Sequence, residues 1–335
     1  MNRAWMCTSV VAAAVAMGML AGPAKAVREL RVATAAPQNT PWGKWFDSVA
    51  KKVEEVSGGR LKLTTFYGSQ LGDEQTVIRQ VIRGRIDIAG QSNTATSLVV
   101  PEFALLAAPY LWDSPEHADC VFDKHVGKIY GQMLEDAGLV LLTYVEVGQM
   151  ILFTRKPVHV PVDLKGMKIR AAPTKASVLF FEQAGANPVP LGTLDAMPAL
   201  KTGNVNGATW PTVYGIAIGT QKLAPHVTLT RHSHQIGTLT VSRKVWRKLS
   251  DDERGWLREG AKLVGFLRKG IRGAENALVG KIRKAGVPVY QPTDTEMTKW
   301  RALGPPAQRA LVKAIGGRAN EIWPEIQSAI AACRS

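Results

Sequence analysis

The chain has 335 residues, 46% of them hydrophobic and 21% charged, a balance that supports a full globular core and excludes a disordered or fibrous chain. Its 42 Lys and Arg against 27 Asp and Glu give a net charge of +15, which favours anionic partners. The basic residues are scattered in pairs such as Lys51-Lys52, Arg243-Lys244 and Arg268-Lys269, and no nucleic-acid-binding motif accompanies them, so nucleic acid is not an expected partner.

Residues 1–26 have the pattern of a cleavable export signal. Arg3 supplies a positive start, Val10 to Leu20 is short, apolar and uncharged, and Ala24-Lys25-Ala26 offers a small-x-small cleavage site. The apolar run falls short of the roughly 20 residues that a membrane span needs. The expected location is the periplasm. Losing Arg3 and Lys25 with the signal lowers the net charge to +13 and leaves 309 residues, enough for two domains. Cys7 leaves as well. Cys120 and Cys333 remain as an even pair in an oxidising compartment, either bonded, tying the C-terminal segment to the first domain, or two separate thiols.

In chain order, Arg28–Ala35 alternates as a strand, and Thr40-Pro41 reads as an N-cap followed by proline at the first helical position. Trp42, Phe46, Val49, Val53 and Val56 then recur at helical spacing until Gly58-Gly59. Leu61–Phe66 predicts a strand, Asp73 caps a helix carrying Val77, Ile78, Val81 and Ile82, and Ile86–Ala89 predicts a third strand. This βαβαβ order calls for a parallel sheet covered by helices. A second α/β series follows: strands at Leu139–Val145, Ile151–Phe153 and Met167–Ala171, a helix from Thr174, Pro188–Pro190 extended, a helix to Lys201 and Val205–Ala208 extended. Val227–Thr230 and Gly237–Val241 are expected to return between the lobes. Ser250 to Glu253 forms a capping box opening one long helix that Gly286 ends, long enough to reach from lobe to lobe; Val287–Tyr290 and two terminal helices complete the chain.

No G-x-S-x-G, H-E-x-x-H, C-x-x-C, phosphate-binding loop or dinucleotide fingerprint occurs, so no catalysis and no cofactor are expected. His226, His232 and His234 cluster, but no nearby Cys, Asp or Glu completes a metal set; they read as histidines of the strands between the lobes, and no metal is expected.

Several motifs together resemble one family. These are Gly58-Gly59-Arg60-Leu61, Ser69 to Glu74, Ala107-Ala108-Pro109-Tyr110-Leu111-Trp112, Asp163 to Arg170, and Gly185 to Pro190 leading to Ala199–Gly203 and Asn206-Gly207. In order and spacing they are similar to the solute receptors of TRAP transporters, the dicarboxylate-receptor (DctP) type. The resemblance implies an α/β, two-lobed periplasmic binding protein, type II-like, with crossing hinge strands, a long connecting helix and Venus-flytrap closure. Residues 27–147 with 236–275 are expected to form the first lobe, and 148–235 with 276–335 the second. The implied partners are a small organic anion and the TRAP membrane permease subunits. A ligand-binding sensor that feeds a membrane signalling partner is the alternative use of such a fold.

Arg170 matches the family's carboxylate-binding arginine. Its place at the carboxyl end of a strand, opposite the core-facing Ile169, points the same way, because ligands of α/β sheets sit at that end and a guanidinium fork matches a carboxylate. Met150 stands where many members carry a second arginine. Trp210 stands where many carry an asparagine, as a surface for an apolar or aromatic ligand portion. A branch binding keto or hydroxy monocarboxylates shares the glutamine matched by Gln149, whereas Thr209 replaces the glutamate that helps that branch hold a cation. The expected ligand is therefore a monocarboxylate with an apolar or aromatic portion. From the first lobe, Thr40 and Trp42 at a helix N-terminus and Gln91 and Asn93 after the third strand are further candidates. Glu74 either approaches the cleft or stands in solvent.

Overall fold

The computed structural model describes residues 27–334; the expected export signal lies outside them. Ten strands form one continuous sheet. Arg28–Thr34 (β1), Leu61–Phe66 (β2) and Ile88–Ser92 (β3) are parallel, as the βαβαβ order requires, though β3 begins two residues later than its sequence suggests. Thr40 caps the helix Pro41–Ser57 through its side chain, and Asp73 caps Glu74–Arg83 in the same way. Gly58 ends the first of these helices at φ 59°, a conformation open to glycine at little cost.

The two expected strands at 139–145 and 151–153 are one. Leu139–Thr154 (β4) runs unbroken for 16 residues. Its first part pairs antiparallel with His234–Ser242 (β9), which pairs in turn with β3. Its last five residues pair with Gly207–Pro211 (β7). Lys168–Ala171 (β5) and Asn187–Pro190 (β6) extend that side, parallel to β7 and to each other. His226–Thr228 (β8) joins β4 and carries Val289–Tyr290 (β10) on its outer edge. The strand expected at 205–208 thus lies at 207–211, which brings Trp210 into the sheet.

Four apolar clusters cover the two halves of this sheet on both faces. Leu30, Trp45, Phe46, Val53 and Ile271 fill one face of the first half, and Val77, Phe103, Leu134 and Tyr144 the other. On the second half, Ile151, Phe153, Leu200 and Val227 face one way, and Leu152, Ile169, Phe180 and Trp300 the other. Successive β4 residues enter opposite clusters, as the period of two dictates. The sequence-derived two-lobed α/β architecture is present, with β4 running from one half of the sheet into the other.

Two expectations need correction. The single long helix after Ser250 is two, Asp251–Ala261 and Val264–Lys284, broken at Lys262-Leu263. The first lies on the helix Pro41–Ser57, where a Cβ at Gly260 would come within 2.8 Å of Val53. The second lies along β4, so each piece follows its own partner. At the end of the chain three helices occur rather than two: Asp294–Arg301, Gly304–Ile315 and Ala319–Ala332. The last packs Ile322, Ile326 and Ile330 into the cluster of Phe103 and Leu134. Cys120 and Cys333 are bonded there, with Cα atoms 5.9 Å apart, within the usual span of a disulfide. Among the described residues no helix is long and apolar enough to cross a membrane.

Candidate functional site

A cavity of about 110 Å³ lies between the lobes, room for several waters or one small organic molecule. The carboxyl ends of β1, β3, β5 and β7 all reach it, through Ala35, Gln91, Arg170 and Trp210, the position where α/β sheets bind ligands. Trp42, Trp45 and Phe46, from the first turns of the helix Pro41–Ser57, form one wall. Met150, Trp210 and Tyr214 form the opposing one.

Arg170 is 2% exposed. Strand alternation turns Ile169 into the core and Arg170 into the cavity. Its Nε donates to the Leu191 carbonyl at 3.0 Å and its Nη1 to the Thr209 carbonyl at 2.9 Å. The guanidinium carbon stands 3.7 Å from the centre of the Trp210 ring, a cation–π stack. Among the described residues Nη2 has no acceptor. Burial pulls this guanidinium down to about 9, against the opposing influence of Tyr214 and Glu74, so it stays charged at neutral pH. The group is held flat, positive and with one edge free.

Glu74 faces the same cavity. Its carboxylate accepts from Ser92 N and Ser92 Oγ, both at 2.6 Å. Burial raises its pKa, while these two bonds and the Arg170 charge lower it. Four further polar atoms on residues around the cavity are buried without a partner among the described residues: Gln91 Oε1, Thr193 Oγ1, and the indole nitrogens of Trp45 and Trp210. Buried polar groups are ordinarily satisfied, so these donors and acceptors mark where a polar ligand would be bound.

Arg170, Trp210, Met150, Trp42 and Gln91 are therefore brought together. Four other candidates are not. Thr40 is occupied as a helix cap, accepting from Gly43 N. Asn93 donates to the Phe103 carbonyl within the first lobe. Thr209 points away from its neighbour Trp210, donating to the Ile151 carbonyl and meeting His232 Nε2 at 3.2 Å. Gln149 lies behind the cleft, with its side-chain amide 3.2 Å from His234 Nδ1. Trp45, Phe46, Thr193 and Tyr214 are among the cavity residues that the sequence did not single out as site candidates. A helical wheel carries a signal for the first two, because the apolar face of Pro41–Ser57 is wider than a single seam.

His232 is buried between the Thr209 and Thr230 hydroxyls and stacks on Phe180 at 4.5 Å. Burial pushes both His232 and His234 down to about 3, so both rings are neutral. Among the described residues no three His, Cys, Asp or Glu side chains gather as a metal-holding group.

The sequence matches the bacterial extracellular solute-binding proteins of family 7 (DctP) over residues 32–313. A solute-binding protein of Chromohalobacter salexigens is 28% identical over 262 residues, 77% of each chain. The sugar acid binding protein DctPAm of Advenella mimigardefordensis, solved with galactonate, superposes with a TM-score of 0.86 at 25% identity, covering 92% of this chain and 98% of that one. A TRAP periplasmic solute-binding protein of Bordetella bronchispeptica, with density interpreted as pantoate, superposes at 0.82 with 28% identity over 90% and 98%. By sequence and by its two-lobed fold, the chain belongs to the DctP family of TRAP periplasmic solute-binding proteins.

Proposed function

We propose that this receptor captures a small organic carboxylate between its lobes and delivers it to the membrane permease of its transporter. The observation that carries the reading is Arg170, charged, buried and fixed on Trp210 with its Nη2 edge free. A carboxylate at that edge forms the short, charge-assisted bonds that guanidinium geometry favours.

The finer reading is a monocarboxylate with an apolar or aromatic portion. Arg170 is the one arginine among the described residues lining the cleft, and Met150 and Trp210 fill the positions where the family resemblance implies polar contacts. Trp42, Trp45, Phe46 and Tyr214 offer the ligand body aromatic walls. Gln91, Thr193 and the two indole N–H groups supply places for one or two hydroxyl or keto oxygens. Galactonate and pantoate, named for the two neighbours, are both monocarboxylates; pantoate has the more apolar body.

Closure is a hinge at the crossing strands. The moving units are the expected lobes, 27–147 with 236–275 and 148–235 with 276–335, except that the helix Ala319–Ala332, assigned to the second lobe from the sequence, is tied to the first by its packing and by Cys120–Cys333. The test is a thermal-shift panel on the mature chain with apolar, aromatic and polyhydroxylated monocarboxylates and with dicarboxylates. At equal concentration, apolar or aromatic 2-hydroxy and 2-keto monocarboxylates are expected to stabilise most, one present at a hundred times its Kd by about 2.7 kcal/mol, and Arg170→Ala is expected to remove the effect. Stabilisation by dicarboxylates alone that Arg170→Ala removes overturns the finer reading. A response to monocarboxylates that is unchanged in Arg170→Ala overturns the carboxylate site.

A further inference from the structure

A second cavity, of about 860 Å³, lies on the other side of the crossing strands from the cleft. Strand alternation divides neighbours between the two spaces: Met150 and Gln235 line the cleft, while Gln149 and His234 line the second cavity. Gln149 and His234 are direct partners across β4 and β9. A wall one sheet layer thick separates the cavities.

We propose that this rear cavity binds a small oxyanion carrying two negative charges, a dicarboxylate or a phosphate. Three arginines line it. Arg334 is neutralised by Asp113 at 2.6 Å. Arg231 and Arg301 form no ion pair among the described residues, and Asp294 is the remaining carboxylate on the lining. Arg231 feels the Glu275 carboxyl nearby, but neither guanidinium is held in an ion pair, so both keep donors free for a ligand. Guanidiniums recognise carboxylate and phosphate oxygens through paired N–H donors.

His234 adds a second, independent indication. It is 4% exposed, and its Nδ1 meets the Gln149 amide nitrogen at 3.2 Å. A nitrogen that accepts from an amide carries no proton, so the neutral ring keeps its proton on Nε2. That Nε2–H is buried without an acceptor among the described residues, on a ring that lines the cavity, so a small shift of the ring would let an oxyanion bound there supply one.

The backbone around the recess is also held in an uncommon conformation. Arg231 and Tyr110 are two of the three non-glycine residues with positive φ among those described, at 43° and 51°. Tyr110 is pinned by its N–H to the His232 carbonyl at 2.9 Å and by its hydroxyl to the Thr230 carbonyl at 3.0 Å. Such strain persists where surrounding contacts over-determine it, and here it fixes the position from which Arg231 departs.

The site differs in place and residues from the carboxylate cleft and does not rest on what that cleft binds. The experiment uses the mature chain carrying Arg170→Ala, labelled with 15N-histidine, and titrates it separately with inorganic phosphate and with malonate against sodium chloride of equal ionic strength. His234→Gln identifies the His234 resonance. A saturable shift of that resonance with either oxyanion and none with chloride is expected. Arg231→Gln and Arg301→Gln, at exposed positions, are each expected to weaken the response about tenfold, and the double variant to remove it. Saturation by phosphate alone or by malonate alone identifies which oxyanion the site takes. The proposal is overturned if neither oxyanion gives a saturable shift, or if the shift survives unchanged in the double variant. A failure of the cleft reading shows instead as a response to monocarboxylates, which the rear site is not proposed to take, that Arg170→Ala leaves intact.

Discussion

Arg170 illustrates what a single side chain must satisfy to serve as a clamp. Two of its nitrogens are bound to the Leu191 and Thr209 carbonyls and its plane lies on Trp210, so little rotational freedom is left to lose when a carboxylate arrives. Lysine at this place keeps the charge but not the fork, and cannot hold both carbonyls while facing the cavity. Arg170→Lys is therefore expected to lose on the order of 30-fold or more in affinity, the lower end of the roughly 2–5 kcal/mol cost of disrupting a buried charge partner. Calorimetry on the variant is the check, and affinity within threefold of the parent contradicts the fork. That Arg170 faces the cavity was legible from its strand position together with the family resemblance. Its neighbours were harder. Thr209 beside Trp210, and Gln149 beside Met150, were nominated as pairs, yet a pleated strand turns one of each pair away. Which member faces the cleft depends on register, and register is set by partners distant in sequence.

At the scale of elements, the crossing strand β4 is the one whose reading changed most. Gly148 marks an irregularity in its pairing with β9 and adopts φ 103°. A Cβ there would come within 2.6 Å of Glu275 Oε1, so the glycine lets the helix Val264–Lys284 approach the strand. Glu275 accepts from Gln149 N at 2.7 Å. Burial raises its pKa to about 7, helped by Glu146 and opposed by the Gln149 N–H, Arg231 and Thr212. The unfolded chain releases this proton near pH 4.5 while the folded chain still holds it, so the group lowers stability as pH rises from about 4.5 to 7. The cost at neutral pH is about 3 kcal/mol. Glu275→Gln retains an acceptor for Gln149 N and removes the titration. Urea unfolding is expected to show the variant gaining on the parent between pH 5 and pH 7.5; equal gaps at both values would refute this. The sequence could not disclose the junction, since Gly148 reads as a strand break until its helix partner is known. The break at Lys262-Leu263 was hidden for the converse reason, because the apolar periodicity continues across it.

For the whole molecule, the export context, the two α/β series and the family motifs together were enough to anticipate two lobes with crossing strands. The C-terminal helices were less legible, because their apolar faces pack against helices and loops rather than the sheet. The disulfide Cys120–Cys333 now joins positions 213 residues apart, so the loop it closes includes the entire second half of the sheet. Closing so long a loop restricts the unfolded chain strongly, and bonds of this kind contribute typically about 2–5 kcal/mol. Neither cysteine lines the cleft. Cys333→Ser is therefore expected to lower the unfolding free energy measured in urea by an amount in that range while leaving ligand affinity in the cleft unchanged. The apolar face formed by Ile322, Ile326 and Ile330 remains in the variant, so the helix Ala319–Ala332 stays docked until global unfolding. Hydrogen exchange on that helix separates the two contributions. Protection close to the parent's means packing holds the helix and the bond acts on the unfolded chain; protection lost well below the midpoint means the bond itself holds it in place.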